Sequence, residues 1–436
     1  MKTPVLTLLA ALAFYLLACQ PEKANDNIVT QDIEYFWEAY DSITTTTDTA
    51  AQRAFLEELY FARGTEGLAA IRAARRYSAE DYLTAIRSYP AYWSSIRPKT
   101  QQVDDYARDI QRGIDQFKEL YPSYRPAKVY FEIGAFRTNG TTMDSLVLIG
   151  AEMAMGDADV AVHELPERMQ YVKDYLQTNP NQQLPFLMVH EYVHTQQTAP
   201  GGYDLLSQCV YEGIPEFLAE LATGKASPNE AISFGKANDE RVRERFAQEI
   251  GSPFFYHWIW NDTNNEFGVR DLGYYIGYAI AQRYYERAAD KQEAIKVLLA
   301  LDYNDPEAIE AFVEETGYFA QPLATCKAAF RQKRPVVTGL EPDIQGQTGV
   351  DAGLRTFTVY FSEPLDTRFT SNDFGPGGRE TLLPIDSVVF ADEGRSAVLH
   401  TRLQPGRTYE LELSYGYRTT SVVPLLPYLI SFSTRK

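Results

Sequence analysis

LPFLMVHEYVHTQQ, residues Leu184–Gln197, is the stretch on which the reading of the whole chain turns. His190 and His194 stand four positions apart, so a helix projects both imidazoles from one face, where they can share a single cation. Glu191 lies beside them on the adjoining face. A carboxylate there can take the proton from metal-bound water, which is the general acid/base role. The flanking Phe186, Val189, Tyr192 and Val193 are uncharged, as a helix buried beneath a cleft requires. The spacing therefore predicts a buried metal-binding helix. One Zn2+ is the fitting ion, because zinc accepts imidazole nitrogens and, with three protein donors, keeps a position for water.

The third donor has to come from a separate helix. YEGIPEFLAEL, Tyr211–Leu221, offers Glu212, eighteen positions after His194. HEYVH followed by that Glu-Gly phrase resembles the gluzincin clan of zinc metallopeptidases, which includes thermolysin and the membrane alanyl-aminopeptidases. The resemblance implies that Glu212 completes a set with His190 and His194 around the ion. It further implies that Glu191 activates water to hydrolyse a peptide or protein substrate, and that Glu216, one helical turn after Glu212, orients a ligating histidine. Related enzymes draw an oxyanion-stabilising tyrosine from a helix after the ligands, which makes Tyr274, Tyr275 and Tyr278 in Gly273–Glu286 the candidates. They also lay an extended peptide along a strand before the metal helix, here LVLIGAEM at Leu146–Met153. The chain departs from the clan's pattern at Thr195, where an apolar residue is usual, and at Pro215, which would remove a backbone bond inside a helix. A like HEYxH core also occurs in bacterial lipoproteins, including a family linked to gliding motility. The alternative to a peptidase is thus a non-catalytic surface lipoprotein that uses a zincin fold and its terminal domain as a binding or assembly scaffold.

Upstream of the motif, apolar residues recur at helical spacing from Ile33 to Tyr121. Lys128–Ile133 and Leu146–Met153 read as two strands, with a turn-prone Asn139-Gly140 between them. Helices return from Leu165 to Val313, the last with an Asp305-Pro306 start and a Gly317 stop. Composition shifts near Arg334-Pro335. Beyond it, period-two runs around Phe357, Val359 and Phe361, then Val398–Thr401, Tyr409–Leu413 and Leu429–Phe432, predict a β-sandwich. FSEPLD (Phe361–Asp366), LQPGRTYELEL (Leu403–Leu413) and the closing ISFSTR resemble the bacterial Ig-like modules of surface-layer and secreted proteins.

At the other end, Lys2 followed by the apolar run Val5–Leu17 reads as a targeting segment too short for a membrane span. Leu16-Leu17-Ala18-Cys19 resembles the bacterial lipobox, which implies acylation of Cys19, membrane attachment through that anchor, and an extracytoplasmic location; Gln20 is compatible with the outer membrane. The organisation expected is a signal peptide over 1–18 and a polar tether over 19–31. A largely helical, α+β zincin-like domain with a small sheet follows over 32–334, and an all-β Ig-like sandwich over 335–436. A formal charge of -18 excludes nucleic acid as a general partner. Cys209 and Cys326 remain as either a disulfide or two buried thiols. His163, His257 and His400 have no ligand partner at useful spacing and read as structural or surface residues.

Overall fold

Long amphipathic segments make the helices of this protein, and runs of β-branched and aromatic residues make its sheets. A computed structural model describes residues 27–436 apart from Tyr203, Tyr256, Asp262 and Asn264. It has the expected mixed α+β character, and the change from helices to strands falls between Gln332 and Val337. The targeting segment and Cys19 lie outside the described residues. Among the described residues no helix is long and apolar enough to cross a membrane.

The chain divides into two units. The first takes residues 1–199, 214–229 and 284–301. Here helix α1 (Gln31–Thr44) buries Phe36 and Trp37, and α2 (Val103–Leu120) buries Ile110, Ile114 and Phe117. Beside them lies a four-stranded sheet of order β1-β2-β4-β3, formed by β1 (Ile28–Val29), β2 (Lys128–Glu132), β3 (Thr141–Met143) and β4 (Leu146–Gly150). β2 and β4 run parallel, and the reversal that pairs β3 with β4 is made at Asp144-Ser145 rather than at Asn139-Gly140. Asp144 supplies the positive φ such a tight turn needs, which Asp tolerates better than most residues. The second predicted strand also stops early: Ala151–Ala154 is already helical.

Helix α3 (Pro180–His194) carries the motif, starting on Pro180 at its first position, where a missing N–H costs nothing. It packs along α2. Gly113 permits the approach, since a Cβ there would lie 2.7 Å from Val189 Cγ2, and Phe117 meets Tyr192 edge-on at 5.9 Å. Helix α4 (Leu205–Thr223) runs without a break through Pro215. The helix thus starts well before the Glu-Gly phrase, and the proline sits in its interior.

The second unit takes residues 200–213, 230–283 and 302–436. Its helix α5 (Leu272–Arg287) crosses α4 at closest range where glycines meet: a Cβ on Gly213 would lie 2.2 Å from the Tyr278 nitrogen, and one on Gly277 only 1.8 Å from the Cys209 carbonyl oxygen. The glycine of the Glu-Gly phrase is therefore required by packing. The helix Pro306–Thr316 has Asp305 accepting from the Glu307 and Ala308 N–H groups and Gly317 closing it in the left-handed region, as its sequence predicts. After helix α6 (Leu323–Gln332) come strands β5 (Val337–Glu341), β6 (Thr356–Phe361), β7 (Asn372–Asp373), β8 (Ile385–Ala391), β9 (Ser396–Thr401), β10 (Thr408–Leu413) and β11 (Tyr428–Ser433). They form two antiparallel sheets, β5-β6-β9-β8 and β11-β10-β7. Phe357, Val359 and Leu399 of one and Leu411, Leu413 and Ile430 of the other share a single core, which is what alternating inward residues on two facing sheets produce.

Candidate metal centre

Two imidazoles one turn apart on α3 begin the site. His190 and His194 are 5% and 8% exposed, and their rings meet edge-on with centroids 4.9 Å apart. Among the described residues, His190, His194 and Glu212 form a group whose ligand atoms all lie within 4.8 Å of one another. A buried pair of imidazoles and one carboxylate is the donor chemistry that fits Zn2+.

The surrounding polar side chains orient these donors. His194 Nδ1 lies 2.9 Å from Gln197 Oε1. An amide oxygen only accepts, so this contact puts the proton on Nδ1 and leaves Nε2 with its lone pair for a metal. Gln197 closes the quoted motif, yet spacing assigns it no task. Its neighbours hold the turn that brings it back: Thr195 Oγ1 donates to the Tyr192 carbonyl at 2.6 Å. The Gln196 amide pairs with the Arg125 backbone, accepting from its N–H at 2.6 Å and donating to its carbonyl at 3.0 Å. The polar residue at 195 thus serves the helix end. On the other histidine, Nδ1 lies 3.5 Å from Glu216 Oε1, and the second Glu216 oxygen accepts from Ser227 Oγ at 2.5 Å. Glu216 is therefore placed where an orienting carboxylate has to be. Gln208 Nε2 donates to Glu212 Oε1 at 3.2 Å from one turn back on the same helix.

Glu191 is half-buried. Its Cγ and Oε1 lie 3.9 Å from where a Cβ on Gly140 would be, beside the edge strand β3. Burial, with the Glu191 carboxylate adding to it, pushes the Tyr175 hydroxyl up to about 12, and Asn139 Nδ2 donates to that hydroxyl at 2.9 Å. Tyr175 and Asn139 thus border Glu191 without having been singled out by any pattern in the sequence.

The three candidate tyrosines on α5 have separate fates. Tyr275 donates its hydroxyl to Asp239 at 2.8 Å and is 4% exposed. Tyr278 is 1% exposed, stacked at 6.5 Å on Tyr275 and capped by the Lys236 ammonium at 4.5 Å from its ring. Tyr274 is half-buried on the same helix. Of the other histidines, His257 pairs with Glu249 at 2.9 Å, and His400 lies within β9. Cys209 and Cys326 are both free and buried, which settles the open choice in favour of thiols.

Two solved structures of the S-layer protein SbsC are similar over 93% and 76% of this chain, at 14% and 15% identity and a TM-score of 0.18 each. This chain spans 45% and 46% of their lengths, and at that TM-score the likeness carries no argument. No curated protein matches. A family model described as Gliding motility protein GldB matches residues 24–249, a span that contains α3, α4 and the whole histidine-glutamate group. This match overturns the expectation of a zinc peptidase acting on peptides. The family that owns the motif here is defined by motility, and an HExxH pair on a fold does not by itself bring hydrolysis with it. Lipoprotein character, with lipid anchoring outside the cytoplasm, agrees with the family. The chain belongs to the GldB family of gliding motility lipoproteins.

Proposed function

We propose that this protein is a non-catalytic surface lipoprotein, anchored through Cys19 at the outer membrane, that works as a binding or assembly scaffold in a motility apparatus. In this reading the zincin-like, largely helical part of the chain has kept the metal site and given up peptide hydrolysis. The terminal sandwich is an Ig-like module that contacts partners. One Zn2+ is held by His190, His194 and Glu212, and the ion supplies a strong, directional tie between α3 and α4.

The observation that carries the reading is the distribution of support around the site. Gln197, Glu216 and Ser227 are all spent on fixing the imidazoles. On α5 the Tyr275 hydroxyl is spent on Asp239. The site is thus provided for holding a cation, and the family points to motility. The test is a complementation assay of surface spreading in cells lacking this protein. Glu191→Gln should restore spreading as wild type does, while His190→Ala combined with His194→Ala should fail, with both variants checked for export and anchoring. Loss of spreading in Glu191→Gln at normal zinc content and unchanged melting temperature would overturn the scaffold reading, because water activation needs that carboxylate.

A further inference from the structure

Against a formal charge of -18 on the whole chain, one of the clefts among the described residues has a lining of the opposite sign. Within the second unit, a cleft of about 480 Å³ is lined by Lys327, Arg331 and Arg334, by a single carboxylate, Asp204, and by the apolar faces of Pro253 and Tyr415. That volume lies within the range of small-molecule sites. The excess of cations is real once their commitments are counted. Lys327 pairs with Glu310. Asp204 is occupied in starting α4, accepting from the Ser207 N–H at 2.8 Å and the Ser207 hydroxyl at 2.9 Å. Arg334 donates to the carbonyls of Pro424 and Leu425 at 3.1 and 2.5 Å, bonds that fix its position without neutralising it. The Arg331 side chain has no hydrogen bond or ion pair among the described residues and stands exposed at the end of α6. Burial first, and then the Arg331 charge, lower the Arg334 guanidinium from its ordinary value, so two like charges share the cleft.

Position at the C-terminal end of α6 accounts for part of this, since cations favour the negative end of a helix. It does not account for the aromatic wall. Tyr415 is 50% exposed, and its ring meets Phe254 edge-on at 6.2 Å, so one face is held in place and left to solvent. A guanidinium presents a planar fork that matches a carboxylate with two parallel bonds. A fixed aromatic face beside it supplies an amphipathic platform for a ring with an apolar side.

We infer that this cleft is a binding site for an acidic sugar, with Arg331 receiving the carboxylate and Tyr415 stacking on the pyranose ring. A lone inorganic anion would use the cations and ignore the tyrosine. An anionic lipid surface would need a broad basic face, whereas here the cations line a recess in an acidic molecule.

Calorimetric titration of the full soluble chain tests this with trigalacturonate, its fully methyl-esterified form, inorganic phosphate and phosphatidylglycerol vesicles as probes. Trigalacturonate should bind, and the ester, which keeps the rings and loses the charges, should bind at least tenfold more weakly. Arg331→Gln should weaken trigalacturonate at least tenfold and Tyr415→Ala severalfold. Both positions are exposed, and an unchanged melting temperature confirms that each variant folds. Absence of trigalacturonate binding overturns the inference. So does equal binding of phosphate, insensitivity to Tyr415→Ala, or Arg331-dependent binding to vesicles alone. The metal centre is untouched by these variants, so the outcome is independent of the scaffold reading.

Discussion

Carboxylates are buried in this protein in two ways. Glu212 and Glu216 are 8% and 6% exposed and belong to the histidine site, one through its place in the ligand group and the other through its 3.5 Å approach to His190. Asp32, Glu132 and Glu152 are 1%, 0% and 0% exposed around β2 and β4. Among the described residues none of these three has an ion pair. Glu152 accepts from the Gly134 and Phe136 N–H groups at 2.8 and 3.0 Å, Asp32 from the Thr65 N–H at 2.9 Å, and Glu132 from the Ile149 N–H at 3.1 Å, with its other oxygen lacking a hydrogen bond. The first pair sits among groups that can share a cation; the second trio sits among dipoles and other acids. Removing a charge from water is expensive, and without a cation the cheaper course is to keep the proton. Burial accordingly raises all three, Glu152 to about 7. Burial of acids does not by itself supply the imidazole donors that a zinc site draws on.

The sharpest way to break this comparison is to delete an imidazole. His190→Ala or His194→Ala should reduce bound zinc from about one ion per chain to none, measured by metal analysis after dialysis, because two remaining donors hold zinc poorly. Zinc retained by the double variant would mean that the buried trio, or some other acid set, binds metal after all. Gln197→Ala sharpens the same point at lower amplitude. The ligands stay, but the tautomer of His194 loses its anchor, and zinc affinity should fall about 10- to 100-fold in a competition titration against a chelator. Unchanged affinity would show that the 2.9 Å contact does not orient the ligand.

What the sequence discloses follows the same division. The His190-His194 pair is legible because four residues is one helical turn, and Glu212 is legible through the phrase that follows. Gln197 is not, since its bond to His194 depends on the chain curling back past the end of α3, a turn set by Thr195 and by the remote Arg125. Asn139-Gly140 carries a turn signal stronger than Asp144-Ser145, yet the latter makes the hairpin, because β2 pairs parallel with β4 and leaves Gly140 to lie against Glu191. Gly213 and Gly277 cannot be matched from spacing, as a helix crossing is a fact of tertiary packing. Glu152 reads as one more strand residue in LVLIGAEM, whereas it stands in the first turn of a short helix, aimed back into the protein.

The buried trio offers the subtlest test of the comparison, through pH. Glu152 titrates near 4.5 when unfolded and at about 7 when folded. Below 4.5 both states hold the proton and pH has no effect. Between the two values the unfolded chain has released a proton that the folded chain keeps, so stability falls as pH rises, by about 3 kcal/mol in all once pH passes the folded value. Glu132 acts in the same direction: burial, then the Asp32 charge, raise it well above its ordinary value. Glu132→Gln removes that titration while leaving an amide oxygen to accept from the Ile149 N–H. Its melting temperature should exceed that of wild type by about 3 °C at pH 8, where the native carboxyl is held against its preference to ionise. At pH 4 the carboxyl is protonated in the folded chain, and the difference should shrink towards zero. Equal shifts at both pH values would mean that shape rather than charge governs this position. Glu132 would then no longer contrast with the carboxylates beside the histidines.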